Sequence, residues 1–178
     1  MELWERFANL FRGYENAYGT FDIKRVNDKG KSDGKAVTIH GQLTEDLWIG
    51  HLAGSRAGIG AVPLRIDNTC YFVVIDIDKY NINLEDLSRR LVKDQIPMVV
   101  CRSKSGGAHV YMFFKEPVEA ELLREKLSTI ASFLGYGDSE IFPKQSSRVD
   151  PVKDIGNWIN LPYYNTSKCL RYAIVDIS

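Results

Sequence analysis

The sequence carries no excess of either charge. Lys+Arg and Asp+Glu each number 23 in 178 residues, so the formal net charge is zero. That balance argues against a histone-like or single-strand-coating protein, whose affinity rests on releasing counterions from many phosphates, although it leaves room for a local basic patch. Cysteine is sparse too. Cys70, Cys101 and Cys169 are widely spaced, with no C-x-x-C and no Cys/His cluster, so neither a zinc site nor a disulfide framework is indicated. Cys70 and Cys101 fall in apolar runs and read as reduced core residues. No apolar run approaches the ~20 residues of a membrane span. The first residues, with Glu2 and Glu5, lack the basic start of a signal peptide. There is no internal repeat, no low-complexity segment, and no nucleophile elbow to support a Ser-His-Asp hydrolase. The expectation is a cytoplasmic protein without a membrane segment, folded as one domain.

What is present centres on Tyr71-Phe-Val-Val-Ile-Asp-Ile-Asp78. An apolar run suits a buried strand, and this one ends in Asp76 and Asp78. Strand residues two apart share a face, so both carboxylates leave the same side. Two aligned negative charges are costly unless solvated or holding a cation. By itself such a pair is most simply a solvated strand end.

Along the chain, Leu3, Trp4, Phe7, Leu10 and Phe11 have helical spacing over residues 1–12. Gly13 to Gly19 reads as a turn-like stretch with exposed aromatics, and 27–35 as a polar loop, either a hairpin arm or a disordered excursion. Thr44 can cap a helix through Leu52. Ala57–Arg65 reads as a strand that Asp67-Asn68 turns into a hairpin with the Tyr71 strand. Asn83 caps a helix carrying Leu84, Leu87, Leu91 and Val92. Pro97–Cys101 and His109–Phe114 are strands. A helix opens at Glu116-Pro117 and runs to about Leu134, with Val118, Leu122, Leu127, Ile130 and Phe133 on one face. Glu140–Phe142 is a short strand, residues 144–155 an irregular polar loop, Trp158–Leu161 a short extended segment, and Leu170–Ile177 a final strand. From Tyr71 to Phe142 this gives strand, helix, strand, strand, helix, strand. The fold class is α+β, with a ferredoxin-like (RRM-like) split βαβ core, an N-terminal subregion over 1–65 and a catalytic core over 66–178.

In that topology the first strand lies between the third and fourth and runs antiparallel to both. Asp76 and Asp78 then end beside His109 and Glu140. Alternation places Asp76 with Phe72 and Val74, His109 with Tyr111 and Phe113, and Glu140 with Phe142, all on the face away from the helices. Three carboxylates supply hard oxygen ligands for Mg²⁺ or Mn²⁺, which clamp triphosphate oxygens in nucleotidyl transfer. The turn Arg102-Ser103-Lys104-Ser105-Gly106-Gly107 offers cations, hydroxyls and accessible backbone N–H groups to a triphosphate, and His109 can donate to a phosphate oxygen. Lys144 and Gln145 continue the last strand at the same rim, with Arg148 a further, more mobile cation. Asn157 and Asn160 can bond a sugar or base, and Tyr163 or Tyr164 can stack, although packing at the sheet edge explains each tyrosine more simply. Tyr14 and Tyr18 are further candidates to sense the sugar.

Asp76-Ile-Asp78, Ser105-Gly-Gly-Ala-His109, and Glu140-Ile-Phe-Pro-Lys-Gln145 followed by Gly156-Asn-Trp-Ile-Asn-Leu-Pro162 resemble the three motifs of the archaeo-eukaryotic primase superfamily. The resemblance is nearest to the primase-polymerase domains of CRISPR-associated and transposon-borne conflict systems. Phe11-Arg-Gly-Tyr14, Ile59–Leu64 and Asp67–Cys70 are similar to that subgroup as well. The resemblance implies a metal-dependent polymerase that starts chains from nucleotides and extends primers on single-stranded DNA. It implies Asp76, Asp78 and Glu140 as ligands of two Mn²⁺ or Mg²⁺ ions, and His109 with Ser105 and Lys104 on the incoming nucleoside triphosphate. Gly107 stands where the family's second motif often has serine. Asp138 is the alternative third acid; Glu140 is preferred for its parity and its link to Phe-Pro-Lys. Proteins of CRISPR adaptation or of a conflict system are the implied partners. With no zinc module or helicase region, the chain reads as a catalytic domain cut from a longer protein.

Three other readings compete. A non-catalytic single-strand-binding module would use Tyr111 and Phe113 as a stacking face, but it leaves three carboxylates facing phosphate. A replication-initiator endonuclease needs paired histidines, and His40 and His51 are distant from His109. A nucleotide-cyclase-like transferase shares the metal logic but not the resemblance.

Overall fold

A computed structural model describes residues 1–26, 32–150 and 153–175. In chain order its elements are α1 (Leu3–Leu10), β1 (Ala17–Val26), β2 (Ser32–His40), α2 (Glu45–Ala53), β3 (Ile59–Ala61), β4 (Thr69–Ile77), α3 (Leu84–Lys93), β5 (Val99–Arg102), β6 (Ala108–Glu119), α4 (Ala120–Phe133), β7 (Glu140–Phe142), β8 (Ile159–Asn160) and β9 (Ala173–Ile174). The chain is a mixed α+β fold with two antiparallel sheets.

The five-stranded sheet has the order β7-β4-β6-β5-β9. β4 lies between β6 and β7 and is antiparallel to both. Its alternating side chains divide the core in two. Val73, Ile75 and Ile77 join Val110 and Met112 against Leu84, Leu87 and Leu91 of α3 and Leu123, Leu127 and Ile130 of α4. Phe72, Val74, Tyr111 and Phe142 face the other way, against Phe7, Phe11, Trp48, Ile59, Ala61, Ile159 and Leu161. Each of these large side chains contributes roughly 1.5–3 kcal/mol by leaving water, so both faces of the sheet are core. Local signals support the helices. The Asn83 side chain accepts from Asp86 N at 3.0 Å to start α3. Arg90 of α3 donates to the carbonyls of Leu134 (3.0 Å) and Phe133 (2.7 Å), satisfying carbonyls that the end of α4 leaves free.

The second sheet has the order β2-β1-β3-β8. The expected hairpin of β3 with β4 does not form. β4 has both edges taken by β6 and β7, and β3 pairs instead with β1 and β8. The stretch expected to be turn-like at Gly13–Gly19 runs straight into β1, which pairs with β2 along nearly its whole length. Most of the expected loop at 27–35 lies outside the described residues, and Ser32 is already in β2. The end of the expected final strand, through Ile177, is also outside them; within them β9 is Ala173–Ile174.

Glu116-Pro117 does not open α4. β6 continues to Glu119, with Val118 opposite Cys70 and Glu119 opposite Thr69. Pro117 lies in the stretch between Phe113 and Val118 that has no partner on β4, the setting in which a strand tolerates a residue with no N–H. The later start turns the helix. Ala120, Leu123, Leu127, Ile130, Ala131 and Leu134 are buried, whereas Leu122 and Phe133 are 59% and 57% exposed.

Candidate active site

Three strands bring the acidic and imidazole groups into one rank. Asp76 of β4 pairs with His109 of β6 on one side and with Glu140 of β7 on the other. The rank sits at the C-terminal end of β4, one residue before the strand closes at Ile77. His109 Nε2 lies 3.4 Å from Asp76 Oδ1. Its other nitrogen is fixed from behind. Tyr111 Oη donates to the Asn160 carbonyl (3.2 Å) and is 3.0 Å from His109 Nδ1. The hydroxyl's one proton is committed to a carbonyl that can only accept, so Nδ1 is the donor to Tyr111 and Nε2 is left toward Asp76. Burial pushes the Tyr111 phenol well up, which keeps that proton in place.

The β5–β6 turn stands over the end of β4. Ser103 N donates to Gly107 O (2.9 Å) and Gly106 N to Ser103 O (3.3 Å), with Gly106 in the left-handed region at φ 99°. A side chain at Gly107 has no room: its Cβ would lie 2.1 Å from the Ile77 carbonyl oxygen. That close approach brings Ser105 to Asp78. Ser105 Oγ donates to Asp78 Oδ1 at 3.0 Å, and Ser103 Oγ, 3.0 Å from Ser105 Oγ, supplies the next proton in the chain. The hydroxyl that reaches Asp78 is therefore that of Ser105, with none at position 107. Lys104 reaches across to β1, its ammonium 3.4 Å from the centre of the Phe21 ring. Burial, then the nearby charge of Arg171, lowers its pKa.

These groups line a cleft of about 630 Å³ between the two sheets. Asp76, Asp78, His109, Ser103, Lys104 and Ser105 form one side. Phe21, Thr38, Trp158, Asn157 and Asn160 form the other, and Lys144 and Tyr80 lie at its edge. The far wall depends on glycine. A Cβ at Gly19 or Gly60 would come within 1.8 or 2.3 Å of the Trp158 ring. The indole lies over both, donating from Nε1 to Thr38 Oγ1 at 3.2 Å.

Glu140 lies beside the cleft rather than on its wall. It lines a recess of about 100 Å³ with Asp76, Asp78, Lys79, Asp138 and Ser139, and its carboxylate pairs with Lys144 Nζ at 2.8 Å. Asp138, the alternative acid, pairs with Lys79 at 3.3 Å, and the hydrogen bond from Lys79 holds its carboxyl below the usual range. Among the described residues, no group of three His, Cys, Asp or Glu side chains is placed to hold a metal ion. The backbone thus aligns the third acid while its side chain engages a lysine. The donors nearest the cleft, Asp76 and Asp78, are hard carboxylate oxygens of the kind Mg²⁺ and Mn²⁺ prefer, so the residues fit such an ion in their chemistry.

Several other expected residues lie off the cleft or are engaged within the fold. Arg102 is exposed on β5, away from the cleft. Gln145 Nε2 donates to Asp154 Oδ2 (2.7 Å) and Ser147 O (3.1 Å), closing its own loop. Arg148 is 7% exposed, not a mobile cation. Its guanidinium donates to the carbonyls of Arg65, Leu64 and Asp154 and covers the Tyr14 ring at 3.9 Å. Tyr163 accepts from Ala173 N at 3.1 Å, and Tyr164 packs on His51 and Arg171. Tyr18 packs against the inner core. Phe21 and Thr38 were not anticipated as cleft residues. Their signal is a strand face of small residues, Gly19, Ala36 and Gly60, in register around them, which leaves room for a large ring from elsewhere.

No helix among the described residues is long and apolar enough to cross a membrane. A search of curated proteins returns no match. Residues 3–172 match the family model of the archaeo-eukaryotic primase domain of the TOTE conflict system, and the chain belongs to that family.

Proposed function

We propose that this domain is a template-directed primase-polymerase, a nucleotidyltransferase that begins chains on single-stranded DNA and extends them. The family supports a primase-polymerase-like nucleotidyltransferase of a conflict system. The observation that carries the finer reading is the register that sets Glu140, Asp76 and His109 side by side at the C-terminal end of β4.

Asp76 and Asp78, joined by Glu140 once it leaves Lys144, are the residues that would hold Mn²⁺ or Mg²⁺, and a bound ion supplies charge neutralisation of triphosphate oxygens. The rearrangement is small: an exposed pair such as Glu140–Lys144 is worth about 0–1 kcal/mol. Lys104 gives the cleft a cation with no carboxylate partner among the described residues, suited to a phosphate oxygen, and the freed Lys144 gives a second. His109, oriented by Tyr111 through Nδ1, presents Nε2 to the cleft beside Asp76. Ser103 and Ser105 hold the Asp78 carboxylate in place. Trp158 and Phe21 offer flat faces for a base, and the Asn157 and Asn160 side chains offer bonds to the sugar.

The competing single-strand-binding reading has less support. Its stacking platform would include Tyr111, which is 1% exposed and covered by the N-terminal part of the chain.

The test is chain initiation on unprimed single-stranded DNA, with Mn²⁺ or Mg²⁺ and either ribo- or deoxyribonucleoside triphosphates. The wild type yields short products. Asp76→Asn and Asp78→Asn each lower the yield by at least about 10³-fold, the scale of removing a charge that acts on the transition state. Undiminished synthesis by the double variant would refute the assignment.

A further inference from the structure

A second cavity, of about 400 Å³, lies near the start of β4, between α1, the segment after β2, and Tyr71. Its position on β4 is five residues from Asp76, about 16 Å at ~3.3 Å per strand residue. We propose that it is a second nucleotide-phosphate site, which holds a phosphate on Arg12 with a base against neighbouring tyrosines. The proposal rests on the nucleic-acid reading above.

Three observations carry it. The Arg12 Nε atom is buried and has no hydrogen-bond partner among the described residues, a state that costs free energy unless a ligand supplies the acceptor. The guanidinium is held by a ring instead: Arg12 lies 3.8 Å from the centre of Tyr71, and no carboxylate pairs with it among the described residues. Arg65 also approaches Tyr71, at 5.0 Å, but Asp67 at 3.1 Å already neutralises it. Among the described residues, Arg12 is thus the cation of the cavity without a carboxylate partner.

The strand is bent to make this arrangement. Cys70 packs on the helix side of the sheet and Phe72, two residues on, packs on the opposite side. Alternation therefore breaks at Tyr71, opposite the unpaired residues 114–117 of β6. Such irregularities re-aim a side chain, and here the result is that Tyr71 lies beneath Arg12. The arginine itself is anchored by its neighbour. A Cβ at Gly13 would lie 2.0 Å from the Val62 carbonyl oxygen, to which Tyr14 N donates at 2.9 Å. A cation over one tyrosine with Tyr14 beside it is the pairing of charge and flat ring that single-stranded nucleic acid uses. Gln42, exposed there, adds an amide for a base edge, and Glu15, also exposed, is the one carboxylate among the described residues of the lining.

The phosphate could belong to a strand or to a free nucleotide, and metal-free binding separates the two. In EDTA, fluorescence anisotropy is read with labelled oligo(dT) across a salt series and, separately, with a fluorescent ATP analogue. Arg12→Gln is expected to weaken oligo(dT) binding about 3- to 10-fold and to reduce the log–log salt slope by about 0.7, the value of one single-strand phosphate contact. Arg12→Lys retains the slope, which shows that charge rather than folding is at issue. Loss confined to the ATP analogue supports the same site with free nucleotide as its ligand. Unchanged binding of both probes by Arg12→Gln overturns the site, as does an equal loss from Arg89→Gln, which removes a cation on α3. Because no metal and no synthesis enter this assay, the site can fail while primer synthesis stands, and the reverse.

Discussion

His51 is fully buried between three segments. Its Nδ1 accepts from Ile59 N at 3.1 Å, its Nε2 donates to the Pro162 carbonyl at 2.7 Å, and its ring stacks on Phe7. Burial pushes its pKa down from 6.5 to about 4, so the folded protein holds it neutral. The unfolded chain binds the proton more readily over that interval, so stability from this group is complete above pH 6.5 and is lost as pH falls toward 4. The loss amounts to about 3 kcal/mol. Urea unfolding at pH 7 and pH 4.5 checks it: a His51→Gln variant, weaker at pH 7, shows a flatter dependence between the two. Little of this could be read from the residue alone, since a lone histidine gives no sign of which backbone groups surround it. Arg148 is the same case. On an irregular polar loop it reads as a mobile cation, and only the fold turns it onto three carbonyls.

At the scale of elements, the legible parts were those with strong periodicity. Alternation in Tyr71–Asp78 and His109–Phe114 gave the two faces of the central strands, and the chain order gave the neighbours of β4. The neighbours of β3 were hidden because three apolar residues, Ile59-Gly60-Ala61, fit any open edge, and which edges are open is a property of the whole sheet. The start of α4 was hidden because Glu-Pro followed by apolar residues is a helix opening by every local signal, while the pairing of Val118 with Cys70 is long-range. The β5–β6 turn yields a sharper expectation. Gly107→Ser restores a serine that the family's second motif often carries at that place, yet the added Cβ meets the Ile77 carbonyl. We expect a loss of about 1–3 kcal/mol in stability and at least about tenfold in kcat/KM, measured by thermal melting and primer extension. Wild-type activity would show that the turn shifts freely and that Ser105 is not positioned by contact with β4.

At the scale of the molecule, the division at residue 65 that the sequence suggested is not a division of the core. β8, from the C-terminal side, pairs with β3 from the N-terminal side, and Phe72, Tyr111 and Phe142 are covered by Phe7, Phe11 and Ile59. Residues 66–178 expressed alone therefore expose an apolar sheet face, and we expect no cooperative melting transition from that fragment by circular dichroism. The intact chain should melt in one transition seen alike in the near and far ultraviolet. The β3–β8 pairing also imposes a schedule on synthesis. Ala61 leaves the ribosome roughly 100 residues before its partner Ile159, a wait of about 5–20 s at ordinary elongation rates. Through that interval Gly19 and Gly60 have no indole to cover them, and the far wall of the cleft lacks Trp158. A nascent chain can thus form its aspartate strand well before the cleft is complete, which waits until Trp158 and Ile159 have been made.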